Sequence, residues 1–169
     1  MPSLSVSKIV SGGQTGVDRA ALDVAVFLEI PHGGWCPRGR KAEDGSISNC
    51  YQLTETRSSS YVVRTEKNVT DSDGTLILYR NSMSRGTALT ASFTRRHVRP
   101  CLAIDIASMQ SSDSDEDWIK EKVAEIHAWL IQEAIETLNV AGPRESTSSG
   151  ITADAHTLLL NAFAEINQN

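Results

Sequence analysis

Two rhythms of apolar residues alternate along this chain. Short unbroken apolar runs occur at Ile9-Val10, Thr75-Leu76-Ile77-Leu78-Tyr79, Cys101-Leu102-Ala103-Ile104 and Leu138-Asn139-Val140-Ala141. Such runs predict strands buried on both faces, as in a parallel sheet. Between them apolar residues recur three or four apart, which predicts helices with one core-facing stripe. Val17, Ala21, Val24 and Leu28 mark the first. Ser60 is placed to cap the second, which runs through Tyr61, Arg64, Lys67, Asn68 and Asp71, with Arg64, Asn68 and Asp71 on one face. The third spans Ala88 to Phe93 and ends in Arg95-Arg96-His97, where cations suit the helix dipole. The fourth carries Ile119, Val123, Ile126, Leu130 and Ala134, and the fifth Ala155, Leu159, Ala162 and Ile166. Trp118 and Trp129 fall off the fourth stripe and read equally as rim packing or subunit interface. A short strand is expected near His32-Gly33, residues 51–59 show no clear period, and Ser108 to Asp117 reads as a polar, acidic mobile loop. Strand and helix thus alternate from residue 8 to 166. That predicts one α/β domain over residues 1–169, a three-layer, doubly wound, Rossmann-like, mostly parallel sheet with helices on both faces.

In such a sheet the loops beyond the carboxyl ends of the strands gather on one edge, and ligands bind where the strand order reverses. Three of these loops are built from small residues. Ser11-Gly12-Gly13-Gln14-Thr15-Gly16 leads from the first strand into the first helix. Its glycines permit a sharp turn, and a helix N-terminus beyond them favours an anion. A tight connection that binds nothing would look the same. The stretch lacks the Lys-Ser/Thr of a phosphate-binding P-loop and the glycine spacing of a dinucleotide fingerprint. Asp18 in the first helical turn could cap N–H groups or discourage a second negative charge, an effect Arg19 could offset. A branched side chain at Gly13 is expected to block a ligand far more than it unfolds the domain. The second loop, Asn81 to Thr87, offers Ser84, Arg85, Gly86 and Thr87. The third, Gly142-Pro143-Arg144-Glu145-Ser146 and onward to Gly150, places Arg144 as its only strong cation. Between the first two lies Trp35-Cys36-Pro37-Arg38-Gly39-Arg40-Lys41. This is either a solvated charged loop or the place where Arg38 or Arg40 grips an anion by guanidinium geometry. Asp73 reads as a turn former, and Cys36 as a small half-buried apolar group.

Composition narrows the class. Apolar residues at 40% and aromatics at 5% fit a soluble α/β protein, and no apolar run approaches a bilayer's thickness. Residues 1–7 lack the basic and apolar regions of a secretory signal, so a cytoplasmic protein without membrane contact is expected. Three cysteines without metal spacing fit reduced thiols and predict no metal site. A net charge of −5 argues against bulk nucleic-acid binding.

Four stretches together carry a resemblance to a known family: Ser11 to Asp23, Gly34 to Gly45, Arg64 to Val69 with Ser72-Asp73, and Asn139 to Ser146. The chain resembles the molybdenum-cofactor carrier family. That family lies within a Rossmann-like superfamily shared with the lysine-decarboxylase-like phosphoribohydrolases and the DNA-processing DprA proteins. The resemblance implies a circularly permuted domain, in which a loop resembling the usual first-strand loop, Gly-Pro-Arg-Glu-Ser, comes last. It implies a homo-oligomer, tetramer or dimer, that binds molybdenum cofactor (molybdopterin, a pterin with a dithiolene and a phosphate), with molybdoenzymes as possible partners. Its cofactor-binding residues would be Gly12, Gly13, Gln14, Thr15, Gly16, Arg38, Arg40, Ser84, Arg85, Gly86, Thr87, Gly142, Pro143, Arg144, Glu145 and Ser146. The same donors suit a phosphate or a nucleotide. The related phosphoribohydrolases carry a glutamate pair after a Gly-Thr step; here Leu89 and Thr90 stand in its place, so no catalytic residue is expected. Glu145, Asp73 and Asp18 are the carboxylates that could substitute. Single-stranded DNA binding would need a basic groove with aromatic platforms, which the acidic balance and sparse aromatics oppose.

Overall fold

A computed structural model describes residues 6–110 and 115–164. The expectations for residues 1–5, for residues 111–114 and for Ile166 lie outside the described residues. In chain order the elements are β1 (Lys8–Val10), α1 (Val17–Phe27), β2 (His32–Gly33), β3 (Trp35–Cys36), β4 (Lys41–Ala42), β5 (Gly45–Ser46), β6 (Thr54–Glu55), α2 (Tyr61–Thr70), β7 (Gly74–Tyr79), α3 (Arg85–Arg96), β8 (Cys101–Asp105), α4 (Asp115–Gln132), β9 (Thr137–Ala141) and α5 (Ile151–Phe163).

Five strands form the central sheet in the order β2-β1-β9-β7-β8, and every pairing is parallel. The last strand therefore lies in the middle. Count β9 first, β1 second, β2 third, β7 fourth and β8 fifth, and the order becomes 3-2-1-4-5. That is the Rossmann order, entered from a different point along the chain. The order reverses between β9 and β7.

Side-chain alternation divides the sheet between two layers. Leu76, Leu78, Leu138 and Val140 join α1, α4 and α5 in one continuous core with Val17, Val24, Ile126, Leu130, Leu158 and Phe163. Thr75 and Ile77, equally buried, point the other way. There α2 and α3 pack together, and α3 rests on β7. Ala155, Leu159 and Ala162 of the expected α5 face are all buried. Trp118 and Trp129 pack half-buried against the core rim. The α4 stripe ends one residue set early: the helix stops at Gln132, and Ala134 takes φ 51° to turn the chain into β9. Ile135 fills the core there instead, with its N–H donating to Leu130 O at 3.0 Å.

Residues 51–59, without clear period, hold the last strand of a small lobe that runs from β3 to β6. β3 pairs with β6 in parallel, and β4 and β5 form a two-residue hairpin. Cys36, Ala42 and Ile47 pack there with Tyr51 and Leu53. Strands of two residues are too short to show a sequence period, which is why this lobe left no pattern. The aligned residues of α2 hold it to the body. Asn68 Oδ1 accepts from Trp35 N at 2.7 Å, its Nδ2 donates to Trp35 O at 2.9 Å, and Asp71 accepts from the Trp35 indole N–H at 2.8 Å. No helix among the described residues is long and apolar enough to cross a membrane.

Candidate functional site

A cleft of about 870 Å³ opens at the strand-order reversal, between the loops that follow β9 and β7. Ser84, Arg85, Gly86 and Thr87 form one wall, and Gly142, Pro143, Arg144 and Ser146 the other. Gln14 reaches it from the loop after β1. The three small-residue loops thus converge on one edge of the sheet. Residues not expected to bind the cofactor complete the lining: Tyr61, Val62, Arg64 and Thr65 from α2, with Leu89 and Thr90 from α3. The face shared by Arg64, Asn68 and Asp71 was the available signal, since a run of aligned polar residues on a helix must meet something polar.

The first loop is tied to itself. Ser11 Oγ donates to Asp18 O at 2.9 Å, and Asp18 Oδ2 accepts from Gln14 N at 3.4 Å. Arg64 Nη1 stands 3.4 Å from the same oxygen, in a pair with both side chains largely buried. Asp18 thus bonds an N–H group of the loop that precedes α1. Burial pushes its pKa up, against the pull of Arg64 and Arg19. Gly12 lets Arg64 lie against the backbone: a Cβ there would sit 2.0 Å from Arg64 Nη1. At Gly16, φ is 82° and a Cβ would meet Pro143 O at 2.2 Å, because the β9 loop crosses the start of α1. Gly13 is not among the residues lining the cleft. Its missing Cβ would strike Leu53 and Ile47 of the small lobe, at 2.6 and 2.9 Å, so the expected ligand block becomes a packing fault.

The third loop is likewise occupied. Glu145 accepts from the N–H groups of Gly150 and Thr152 and from the Thr152 hydroxyl, and so caps α5. These bonds hold its pKa below the usual carboxylate range. Glu43, at the tip of the β4–β5 hairpin, crosses over to Thr15 Oγ1 and to the N–H and hydroxyl of Ser146. Arg144 lies 3.7 Å from Glu43 Oε2 and, like Lys41 and Arg64, beside the Tyr61 ring.

The second loop differs. Ser84 caps α3 with its own hydroxyl, accepting from Thr87 N at 3.4 Å; Asp105 accepts from Asn81 N at 3.0 Å at the start of the loop, and no carboxylate among the described residues bonds the first turn of α3. Arg85 and Gly86 are exposed at the cleft. A side chain at Gly86 would meet open space.

Arg38 and Arg40 do not join this assembly. Arg38 is exposed outside the cleft lining. Arg40 spends its guanidinium on the carbonyls of Ile47, Ser48, Tyr51 and Leu53, at 2.7–3.4 Å, and so clamps the small lobe. Sequence showed a cation in a loop; it could not show four carbonyls waiting for it.

Of the three carboxylates that could replace the missing glutamates, Asp73 is remote, since it accepts from Glu136 N and Thr137 N at the start of β9. Asp18 is the one carboxyl among the described residues lining the cleft, and it is held by Arg64. Leu89 and Thr90 do line the cleft, and Thr90 Oγ1 donates to Gly86 O at 3.3 Å. No group of three or more potential metal ligands occurs among the described residues.

Residues 9–163 match the circularly permutated YpsA SLOG family. The chain is also similar to the crystal structure of a "putative molybdenum carrier protein" from Syntrophus aciditrophicus SB. The two share 44% identity over 94% of this chain and 95% of that one, with a TM-score of 0.85. No curated protein matches the sequence.

Proposed function

The chain belongs to the circularly permutated YpsA SLOG family, and on that premise we propose that it binds and carries a small phosphate-bearing cofactor in the cleft, molybdenum cofactor ahead of a nucleotide. One observation carries this reading. Of the three strand–turn–helix units at the reversal, only that of β7 and α3 meets the cleft with no carboxylate of the described chain against its first turn. Free N–H groups at a helix start favour a phosphate. Arg64, Arg85 and Arg144 add cations to the lining, and Tyr61 and Leu89 offer apolar surface to a planar ring. The similarity to a protein named as a molybdenum carrier supports molybdopterin over a nucleotide. The lining supports carriage over cleavage. A general acid or base needs a titratable group in reach of the bond; Leu89 and Thr90 provide none, and Asp18, the one carboxyl among the described residues lining the cleft, is paired with Arg64. Homo-oligomerisation, a cytoplasmic location and delivery to molybdoenzymes belong to the same proposal.

The test is a titration with molybdopterin released from a purified molybdoenzyme, beside AMP and GMP. The expected outcome is saturable binding of the pterin, tighter than either nucleotide, and no free base from the nucleotides at about one turnover per second or above. Tighter nucleotide binding, or release of base at that rate, would replace the carrier reading with the enzyme one.

A further inference from the structure

Among the described residues, three carboxylates occupy the loops that follow β1 and β9, and one is unlike the others. Asp18 and Glu145 each serve their own segment, reaching back four residues to Gln14 N and forward five and seven to Gly150 and Thr152. Glu43 arrives from a separate hairpin, 28 residues from Thr15 and 103 from Ser146. The donors it meets are two hydroxyls, one main-chain N–H and a guanidinium, drawn from two strand-following loops. Such a set suits an oxyanion with three or four oxygens, of which a carboxylate supplies two. These contacts also hold the Glu43 pKa below its usual range.

The hairpin that delivers Glu43 is slight. Its strands have two residues each, and a Cβ at Gly39 or Gly45, on either side of Glu43, would meet nothing within 4 Å. Apart from the Glu43 carboxylate, its tip is held by Glu43 N donating to Gln14 Oε1 at 2.9 Å and by the Arg19–Asp44 pair at 3.1 Å. Asp44 is half exposed, and an ion pair so exposed holds weakly. The base is firm, because Arg40 clamps the carbonyls of Ile47 and Ser48 just beyond β5. A tip held by few polar contacts on a fixed base can move without disturbing the lobe. Thr15, Glu43 and Ser146 line a second pocket of about 710 Å³, and Ser146, with Arg144, also lines the cleft, so the position Glu43 fills borders it.

We propose that Thr15, Ser146 and Arg144 form a second oxyanion position beside the α3 turn, and that Glu43 is its internal occupant, displaced when a phosphate or molybdate-type oxyanion binds. This rests on the reading of the cleft as the site of an anionic cofactor. It assigns that cofactor a second anionic contact, and it makes the hairpin a competitor that the cargo must outbid.

The experiment is calorimetric titration of inorganic phosphate, and separately of molybdate, into the wild type, Glu43→Gln and Glu43→Ala. Removing an internal competitor raises apparent affinity by the inverse of the fraction of time the site stands free, about tenfold where Glu43 holds it nine-tenths of the time. In the wild type, saturating phosphate is also expected to shift the amide resonances of Glu43, Asp44 and Gly45 along with that of Ser146. Variants that melt like the wild type yet bind phosphate no more tightly overturn the proposal. So do hairpin amides that stay still at saturation, a measurement that decides the matter even if the variants fail to fold. Phosphate that shifts only the Ser84 to Thr87 amides overturns this inference and leaves the cleft reading standing. Phosphate and molybdate that bind none of the three proteins overturn both.

Discussion

The turn from β1 into α1 and the turn from β7 into α3 share one grammar, strand then small residues then helix, and end in opposite conditions. The first is closed. Gln14 N is taken by Asp18, and Gly12 and Gly16 accommodate Arg64 and Pro143. The second is open, with Gly86 facing empty space and only a serine hydroxyl capping the helix. The richer glycine content marks the closed one. Glycine in a turn therefore records a close approach, and the neighbour approaching can be the protein itself.

Substitutions at matched glycines press hardest on this contrast. Gly16→Ala places a side chain at positive φ and drives it into a carbonyl. A loss of about 3 kcal/mol or more is expected, from backbone strain together with the clash. Gly86→Ala, inside the first turn of α3 with open space around it, should be neutral or stabilising by under ~1 kcal/mol. Urea unfolding of both variants checks this, and similar losses at the two sites would erase the distinction between closed and open turns.

Arg144→Ala comes next. It removes a cation that faces both the cleft and Glu43, and is expected to weaken phosphate binding about tenfold, toward the lower end for a charge-assisted contact because the side chain is 40% exposed. Calorimetry with inorganic phosphate measures it; unchanged affinity would leave the α3 turn as the whole anion site.

The smallest effect is in pH. Glu145 has a depressed pKa in the folded state, so its caps contribute stability that is present above the unfolded value near 4.5 and lost as pH falls through the folded value. The raised pKa of Asp18 acts in the opposite sense: the folded state binds the extra proton, so its contribution declines as pH rises above 3.8. Melting temperature followed through the acid range is expected to fall less steeply in Glu145→Gln than in the wild type. An unchanged slope would mean that the α5 cap is not what Glu145 supports.

The long elements were legible because their cause is periodic. Buried parallel strands such as Leu76 to Leu78 read as continuous apolar runs, and α5 showed its face through Ala155, Leu159 and Ala162. The convergence of the loops followed from the alternation of those elements. The small lobe was not legible, since β3 to β6 are two residues each and owe their pairing to Asn68 and Arg40 rather than to any rhythm of their own. Arg144 could be placed from sequence because it stands alone in a loop after a strand. The contrary fate of Arg40 depended on four carbonyls supplied by residues 47–53, which no local pattern announces. Glu43 bears no local signal of its role; its reach to Ser146 is a tertiary fact.

The position of β9 has a consequence for how the protein is made. Ile9 pairs with Leu138 and Leu76 with Val140, so the strand that joins the two halves of the sheet is synthesised after the other four. Until residue 141 has left the ribosome, β1 and β7 have a gap between them where their shared neighbour belongs. The nascent chain must carry one edge of β1 and one edge of β7 unpaired until β9 emerges, the condition that slows folding of non-local topologies and exposes them to aggregation. In a chain entered at β9 the same sheet could grow outward from its centre as it emerged.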